Sequence, residues 1–400
     1  MGNVFVVSEY VDAGQNSTGF FWSKIVKKIG RELGGVTVIF PGSSPRLRVF
    51  EDCTVKEVAF ASPKFNKNKL LFRLMGQVFL IVGFCWHILR HVKKGDVLLS
   101  GTNPALLLMV LPLLKLIKGF KWGALVHDVF PENLVPAGLM KLSSPVYPIV
   151  SRLFSAIYNS ADLLIVIGRD MKELVRQKVK DVEKVVFVPN WADETEVFPV
   201  PRREAPFINE LGWQDKVVFQ FFGNIGRLQG IENILESIAL VEDDRAAFIF
   251  IGDGALVSKV NDFVNRNPGR NVAYVGSIPL KDKNQGLAAC DVALITLEEG
   301  MLGLGVPSKA YFSLAADKPL LAVMDDNAEI SRVIREAAVG WQCKPADARA
   351  LADLITSICD IDLATYSGRS LATFREGYSE ALALDKFFAN INNLIRSSQA

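Results

Sequence analysis

Val217–Val241 reads VVFQFFGNIGRLQGIENILESIALV, and the order of residue types in it decides the fold. A β-rich apolar run, Val217–Phe222, leads into a turn with glycines at Gly223, Gly226 and Gly230. Helical spacing of apolar residues then begins and holds over Gly230–Val241. Strand, glycine turn and helix in that order open a βα unit on a parallel sheet. Such glycines let the backbone approach a phosphate, and the following helix offers free N–H groups and a positive dipole end. The spacing is not that of the dinucleotide fingerprint, and by itself it fits a simple tight turn equally well.

The same unit recurs on both sides. Downstream, strand-like runs fall at Phe248–Ile251, Val272–Val275, Val292–Leu297 and Pro319–Val323. Helical spacing follows at Leu256–Asn265, Ser308–Ala315, Ala346–Cys359 and Ser379–Arg396. Upstream, Val4–Ser8, Val36–Phe40, Val97–Ser100, Trp122–His127, Leu163–Ile167 and Val185–Val188 alternate with helices such as Phe20–Leu33 and Val146–Asn159. The alternation pauses over Asn190–Trp213, whose three prolines and seven charges read as a linker. The expected class is therefore α/β, with two Rossmann-like, doubly wound domains facing a central cleft. Their expected bounds are 1–195 and 196–375, with a terminal helix within 376–400 that crosses back to the first domain.

Bulk properties agree. Four hundred residues suit two domains, and 50% apolar with 22% charged residues excludes a disordered chain. Five scattered cysteines form no metal spacing and no paired framework, which fits a reducing cytoplasm. The start, MGNVFVVSEY, has no basic flank or long apolar stretch and reads as a first strand rather than a signal peptide. Charge is uneven: residues 1–200 hold 25 Lys/Arg against 17 Asp/Glu, and the remainder holds 20 against 26. A basic first half fits an anionic membrane or a phosphate-bearing acceptor, or is simply a solvated surface.

Leu74–Leu89 (LMGQVFLIVGFCWHIL) is nearly all apolar, with Arg73, Arg90, Lys64, Lys67, Lys69, Lys93 and Lys94 around it. Pro104–Ile117 is a second apolar segment, interrupted by Pro112 and Lys115. Both fall short of the ~20 residues needed to span a bilayer. They fit either buried helices of the first domain or a surface that rests on lipid through apolar side chains and basic flanks.

Four places carry candidate chemistry. In Leu125–Asn133 (LVHDVFPEN) a strand ends at His127 and Asp128, where parallel sheets present residues to a ligand crevice. Ile251–Gly254 (IGDG) repeats the strand-then-glycine form of the opening stretch. Gly300–Tyr311 (GMLGLGVPSKAY) sets three glycines and Ser308, a good N-cap, before a helix with Lys309 at its start. Ala13–Gly19 (AGQNSTG) is an open turn after the first strand. P-loop, zincin, nucleophile-elbow and EF-hand patterns are missing, as is a basic helix interleaved with aromatics for nucleic acid.

With HDVFPEN, FFGNIGRLQGIENILESI, FIFIGDG and GVPSKAYFSLAADKPLLAV, the chain resembles the family 4 glycosyltransferases of the GT-B fold. The resemblance covers essentially the whole length and is to the bacterial group that builds O-antigen, capsule or colanic-acid repeat units. It implies retaining transfer without a metal or cofactor, from a nucleotide-sugar donor, with UDP the expected nucleotide. The expected acceptor is an undecaprenyl-diphosphate-linked saccharide at the cytoplasmic face of the inner membrane. The donor would lie on Gly223, Asn224, Gly226, Arg227, Gln229, Gly252, Asp253, Gly254, Gly305, Ser308 and Lys309. His127 would stand at the transferred sugar with Asp128 beside it. Asn16, Ser17, Thr18 and Gly19 would close over the phosphate or acceptor. The departing phosphate oxygen would help deprotonate the acceptor, so that no protein nucleophile is needed.

Two departures stand out. Many members carry Glu, seven residues, then Glu across the third loop, and those positions here are Leu304 and Phe312. Glu298, Glu299 and Glu329 are candidates to substitute. A lysine often found before the first helix is Gln229 here, leaving Arg227 and Lys309 to supply positive charge. The lost carboxylates keep a non-catalytic scaffold or partner subunit open as an alternative, and a nucleotide-sugar epimerase or hydrolase on the same fold is another, which the apolar Leu74–Leu89 fits poorly.

Overall fold

The computed structural model describes residues 2–42, 46–50, 53–62 and 70–398. The first sheet contains β1 (Val4–Val7), β2 (Gly35–Pro41), β3 (Arg46–Phe50), β4 (Cys53–Phe60), β5 (Val97–Gly101), β6 (Lys121–Val126), β7 (Leu163–Val166) and β8 (Val185–Phe187). Its order is β3-β4-β2-β1-β5-β6-β7-β8, with every pairing parallel except β3 on β4. The second sheet contains β9 (Val217–Phe222), β10 (Ala246–Ile251), β11 (Val272–Gly276), β12 (Val292–Thr296), β13 (Leu320–Val323) and β14 (Gly340–Cys343). It is wholly parallel, in the order β11-β10-β9-β12-β13-β14.

Helices cover both faces of each sheet, so the central strands are buried along their whole length. Every residue of β1, β5, β7, β10, β12 and β13 is buried. That explains their unbroken apolar runs in the sequence. The strand order reverses at β1, between β2 and β5, and again at β9, between β10 and β12. In open parallel sheets, ligands bind beyond the carboxyl ends of strands at such reversals. Both reversal points open toward the same cleft.

Three strands escaped the sequence reading: β3, β4 and β14. The β3–β4 hairpin carries Arg48 and Glu57, and the Arg48 Nε pairs with the buried Glu57 at 2.6 Å. Charge on an edge hairpin conceals the apolar rhythm. The short edge strand β14 is half-buried throughout.

The apolar segments form the helices Leu70–His91 and Ala105–Lys118. Their inner faces, Leu80, Phe84, Ile88, Leu107, Leu111 and Leu114 among them, are buried in the first core. The outer faces are not, so of the two readings the wholly buried one does not hold. Phe79, Val82, Trp86, Leu113, Leu116 and Ile117 are exposed, Leu116 by 83%. Lys64, Lys67 and Lys69 lie outside the described residues, as do the side chains of Arg73 and Leu74.

Glu380–Ser397 is a helix that packs on the helix Ser17–Leu33 and on β6. Lys24 and Lys28 of the first domain pair with Glu380 at 3.3 Å and Asp385 at 2.7 Å.

A second junction holds the domains across the cleft. Glu329, 1% exposed at the start of the helix Glu329–Ala337, accepts from the Arg169 backbone N–H at 2.7 Å and from its Nε at 3.0 Å. The Arg169 Nη1 pairs with Glu336 at 2.7 Å. Nearby, Val129 N–H donates to the Leu304 carbonyl at 3.1 Å and Gly303 N–H to the Asp170 carboxylate at 3.1 Å. Removing the guanidinium leaves Glu329 buried without a positive partner, held by the backbone N–H alone. Arg169→Met is expected to cost on the order of 3 kcal/mol in urea unfolding. Arg332→Ala, which breaks the more exposed Arg332–Glu173 pair, should cost less than about 1 kcal/mol. Equal losses from the two would show that the buried carboxylate does not secure the junction.

Candidate active site

Two chambers meet in the cleft. The larger, about 550 Å³, takes Asn16 and Ser17 from the first domain and Gln220, Phe222, Gly223, Asn224, Gln229, Ser308, Lys309 and Phe312 from the second. The smaller, about 200 Å³, contains Ser17, Thr18, Phe21, His127, Asp128, Asn190, Met301 and Gly305. Ser17, Gln229, Val306, Pro307 and Ser308 belong to both walls, so the chambers share a seam.

The first-domain side of the seam is a helix start. Asn16 has extended backbone, and its side chain accepts from Gly19 N–H at 2.9 Å, capping the helix Ser17–Leu33. The N–H groups of Ser17 and Thr18, in the first turn, have no partner within the helix. Gly19 lets the turn close tightly, because a Cβ there would stand 2.3 Å from the Asp12 carbonyl oxygen.

On the other side, Ser308 precedes the helix Lys309–Ala315. The Lys309 ammonium donates to Gln229 Oε1 at 3.0 Å and lies 3.6 Å from the centroid of the Phe221 ring. Among the described residues it forms no ion pair with a carboxylate. Burial pushes its pKa well below the usual lysine value. An anion beside it would hold it charged.

The glycine loops divide between two jobs. Gly223 and Asn224 line the larger chamber. Gly226 lies behind them, packed against the Asn224 side chain. Gly252 and Gly254, at φ +137° and +158°, serve a different contact. A Cβ on them would stand 1.9 Å from the Gly223 carbonyl oxygen and 2.4 Å from that of Ile225. They let one loop nest in the other, and neither they nor Asp253 line a chamber. Arg227 is exposed, lines neither chamber and has no ion-pair partner among the described residues. Glu298 and Glu299 are likewise off both walls, and Glu329 is committed to Arg169.

His127 follows β6. Its backbone N–H and that of Asp128 both donate to Thr102 Oγ1 at 3.2 Å, a residue the sequence reading passed over. The imidazole lies 6.2 Å from the Phe21 ring, and its Nε2 has no partner among the described residues. Protein crowded around the chamber desolvates both side chains, although each keeps some exposure into it. Burial lowers His127 to about 4 and raises Asp128 to about 6. Near pH 7 the imidazole is therefore neutral, and the neighbouring carboxylate is ionised. Thr102, Phe21 and Asn190 were missed because each comes from another strand end or helix, and only the assembled sheet brings them to His127.

Two Rossmann-like domains on either side of one cleft give the GT-B architecture. Residues 216–360 match the family model described as glycosyl transferases group 1. The chain is 55% identical over 399 residues, all of both chains, to the probable glycosyltransferase WbjE of Pseudomonas aeruginosa, and it belongs to the glycosyltransferase family. It is 26% identical over 166 residues, 40% of each chain, to WcaI of Escherichia coli K12, a putative colanic acid biosynthesis glycosyl transferase. The crystal structure of HepE from Anabaena in complex with UDP superposes with a TM-score of 0.71 at 16% identity, over 98% of this chain and 100% of that one.

The Asp128 shift gives a pH dependence with a definite sign. A carboxyl whose folded pKa is raised above the usual 3.8 opposes folding when ionised, above pH 6, and that penalty fades as pH falls through 6 toward 4. Asp128→Asn should therefore raise the thermal midpoint at pH 7.5 and give much less gain at pH 4.5. A gain independent of pH would show that Asp128 is not strained by desolvation.

Proposed function

We propose that the chain transfers a sugar, with retention and without a metal, from a UDP-sugar to a lipid-linked saccharide, an undecaprenyl-diphosphate carrier being the expected lipid, in bacterial surface polysaccharide synthesis. The observation that carries this reading is the pairing of chambers. One holds an ammonium without a carboxylate, the other an imidazole with a free Nε2, and a helix start lies on the seam between them. A diphosphate at the seam would face the Ser17 and Thr18 N–H groups, the loop at Ser308, and Lys309. Those donors would stabilise the negative charge that develops as the nucleotide departs. The transferred sugar would then project into the smaller chamber. There the neutral His127 holds a sugar hydroxyl, and a departing phosphate oxygen accepts the acceptor's proton on the same face. Arg227, exposed and unpaired, would swing onto the phosphates. UDP is favoured by the resemblance and by the ligand of HepE.

Thermal stabilisation by a panel of nucleoside diphosphates and nucleotide sugars tests the donor site. A ligand at one hundred times its dissociation constant adds about 2.7 kcal/mol. UDP should raise the midpoint, with NAD and ATP inert and EDTA without effect on transfer. Lys309→Met should weaken UDP by about tenfold to a hundredfold, as expected for lost charge-assisted hydrogen bonds, and Arg227→Ala by less because its charge is solvated. His127→Ala should spare binding and lower turnover by roughly a hundredfold or more. No shift with any nucleotide would favour a non-catalytic scaffold.

The acceptor's lipid is supported by the outer face of the first domain. The helices Leu70–His91, Ala105–Lys118 and Tyr147–Ser160 pack side by side. They and the preceding loop expose Trp86, Leu116, Leu139, Leu142 and Ile149. Exposed Arg90, Lys94, Lys141 and Arg152 lie on the same segments. Contiguous apolar surface with basic residues among it fits an anionic bilayer. No helix among the described residues is long and apolar enough to cross a membrane. Co-sedimentation with phosphatidylglycerol vesicles is expected at low salt and should fall in Trp86→Glu/Leu116→Glu. Failure to co-sediment even at low salt would remove this part of the proposal.

A further inference from the structure

The larger chamber holds two ammonium groups and no carboxylate. One is Lys309. The other, Lys283, is already paired with Glu196 at 2.6 Å. A ligand bringing a pair of hydroxyls into this space meets amides, serine hydroxyls, main chain and apolar surface. The strongest acceptor a hydroxyl pair can find, an ionised carboxylate, is not among the lining residues.

Phe312 sits where that matters. It follows Lys309 by three residues on the helix Lys309–Ala315, so the two side chains share a helix face about 5–6 Å apart. Both line the chamber. The Phe312 ring packs on Phe20 of the first domain at 5.6 Å between centroids, which closes the wall between the domains. Phe222 and Leu287 extend the apolar surface. A nucleoside diphosphate with its phosphates at Lys309 lays its pentose along Phe312. This placement rests on the nucleotide-donor reading above.

We infer that Phe312 makes the donor site indifferent to the pentose 2′-hydroxyl, so that it accepts ribo- and 2′-deoxyribonucleoside diphosphates of the same base alike. Two physical effects support this. A site built to hydrogen-bond a hydroxyl rejects the analogue lacking it by roughly 10⁴–10⁵-fold, whereas an apolar wall discriminates by no more than about a hundredfold. Moreover, a hydroxyl pressed on an aromatic ring loses water and gains no ionised acceptor, which offsets the advantage of ribose. The neighbouring serines offer only neutral oxygens, weaker acceptors than a carboxylate: Ser313 Oγ donates to the Lys309 carbonyl at 3.1 Å and keeps its lone pairs, and Ser308 stands one turn before Phe312.

The experiment is competition calorimetry on the full chain with paired probes: UDP and 2′-deoxy-UDP, GDP and 2′-deoxy-GDP, ADP and 2′-deoxy-ADP. For whichever base binds, dissociation constants within about threefold of each other support the inference. A loss of about tenfold or more on removing the 2′-hydroxyl overturns it and leaves the nucleotide-donor reading intact. Binding by none of the pairs overturns both. Phe312→Glu supplies the acceptor the chamber lacks and should open at least a tenfold preference for the ribonucleotide. A folded Phe312→Glu protein that still binds both equally would overturn the assignment to Phe312. Should that variant not fold, the wild-type pairs decide alone.

Discussion

Glu329 is a carboxylate almost out of reach of water, and its position is tolerable only because Arg169 of the other domain fills its acceptors. Ionised groups removed from solvent need such partners, and here the partner arrives from across the cleft. That requirement orients one sheet against the other. With Arg169 in place, β6 and β7 present their carboxyl ends to the loop between β12 and Lys309, and Val129 meets Leu304 through the main chain. Both chambers are consequences of that alignment.

The chemistry of the cleft follows from unequal solvation. Lys309 and Asp128 are both ionisable groups in poor solvent, and neither has an opposite charge of its own. His127 is driven to its neutral form for the same reason. Burial of such groups is unfavourable, and a ligand of the right charge relieves it. Anionic phosphates suit the lysine side. A neutral, hydroxyl-rich sugar suits the imidazole side.

Much of this was legible in the sequence, for a physical reason. Strands buried on both faces must be apolar throughout, so β1, β5, β10 and β12 announce themselves. Asn16, His127, Ser308 and Lys309 were legible because each stands at the boundary of an element. What stayed hidden depends on distant packing. The β3–β4 hairpin carries charge that is satisfied only by its own fold. Thr102 meets the His127 main chain from the end of β5, beside β6 in the sheet, and Asn190 lines the same chamber from beyond β8. Gly252 and Gly254 looked like phosphate glycines, yet their freedom is spent on letting two loops touch. Phe312 was visible as a departure, but its meaning required knowing that no nearby glutamate replaces it.

The last helix has a consequence for the order in which the protein is made. Its apolar side, with Ala383, Leu384, Phe387, Ile391, Leu394 and Ile395, completes the core of a domain whose strands are synthesised first. The ribosome must finish the entire second domain before that cover arrives. At 5–20 residues per second the wait is roughly 10–40 s. Throughout it, the face of β6 beside Gly123 and part of the helix Ser17–Leu33 stay uncovered. The core of the first domain is thus completed only with the last residues of the second, and the two halves mature together although they are built in succession.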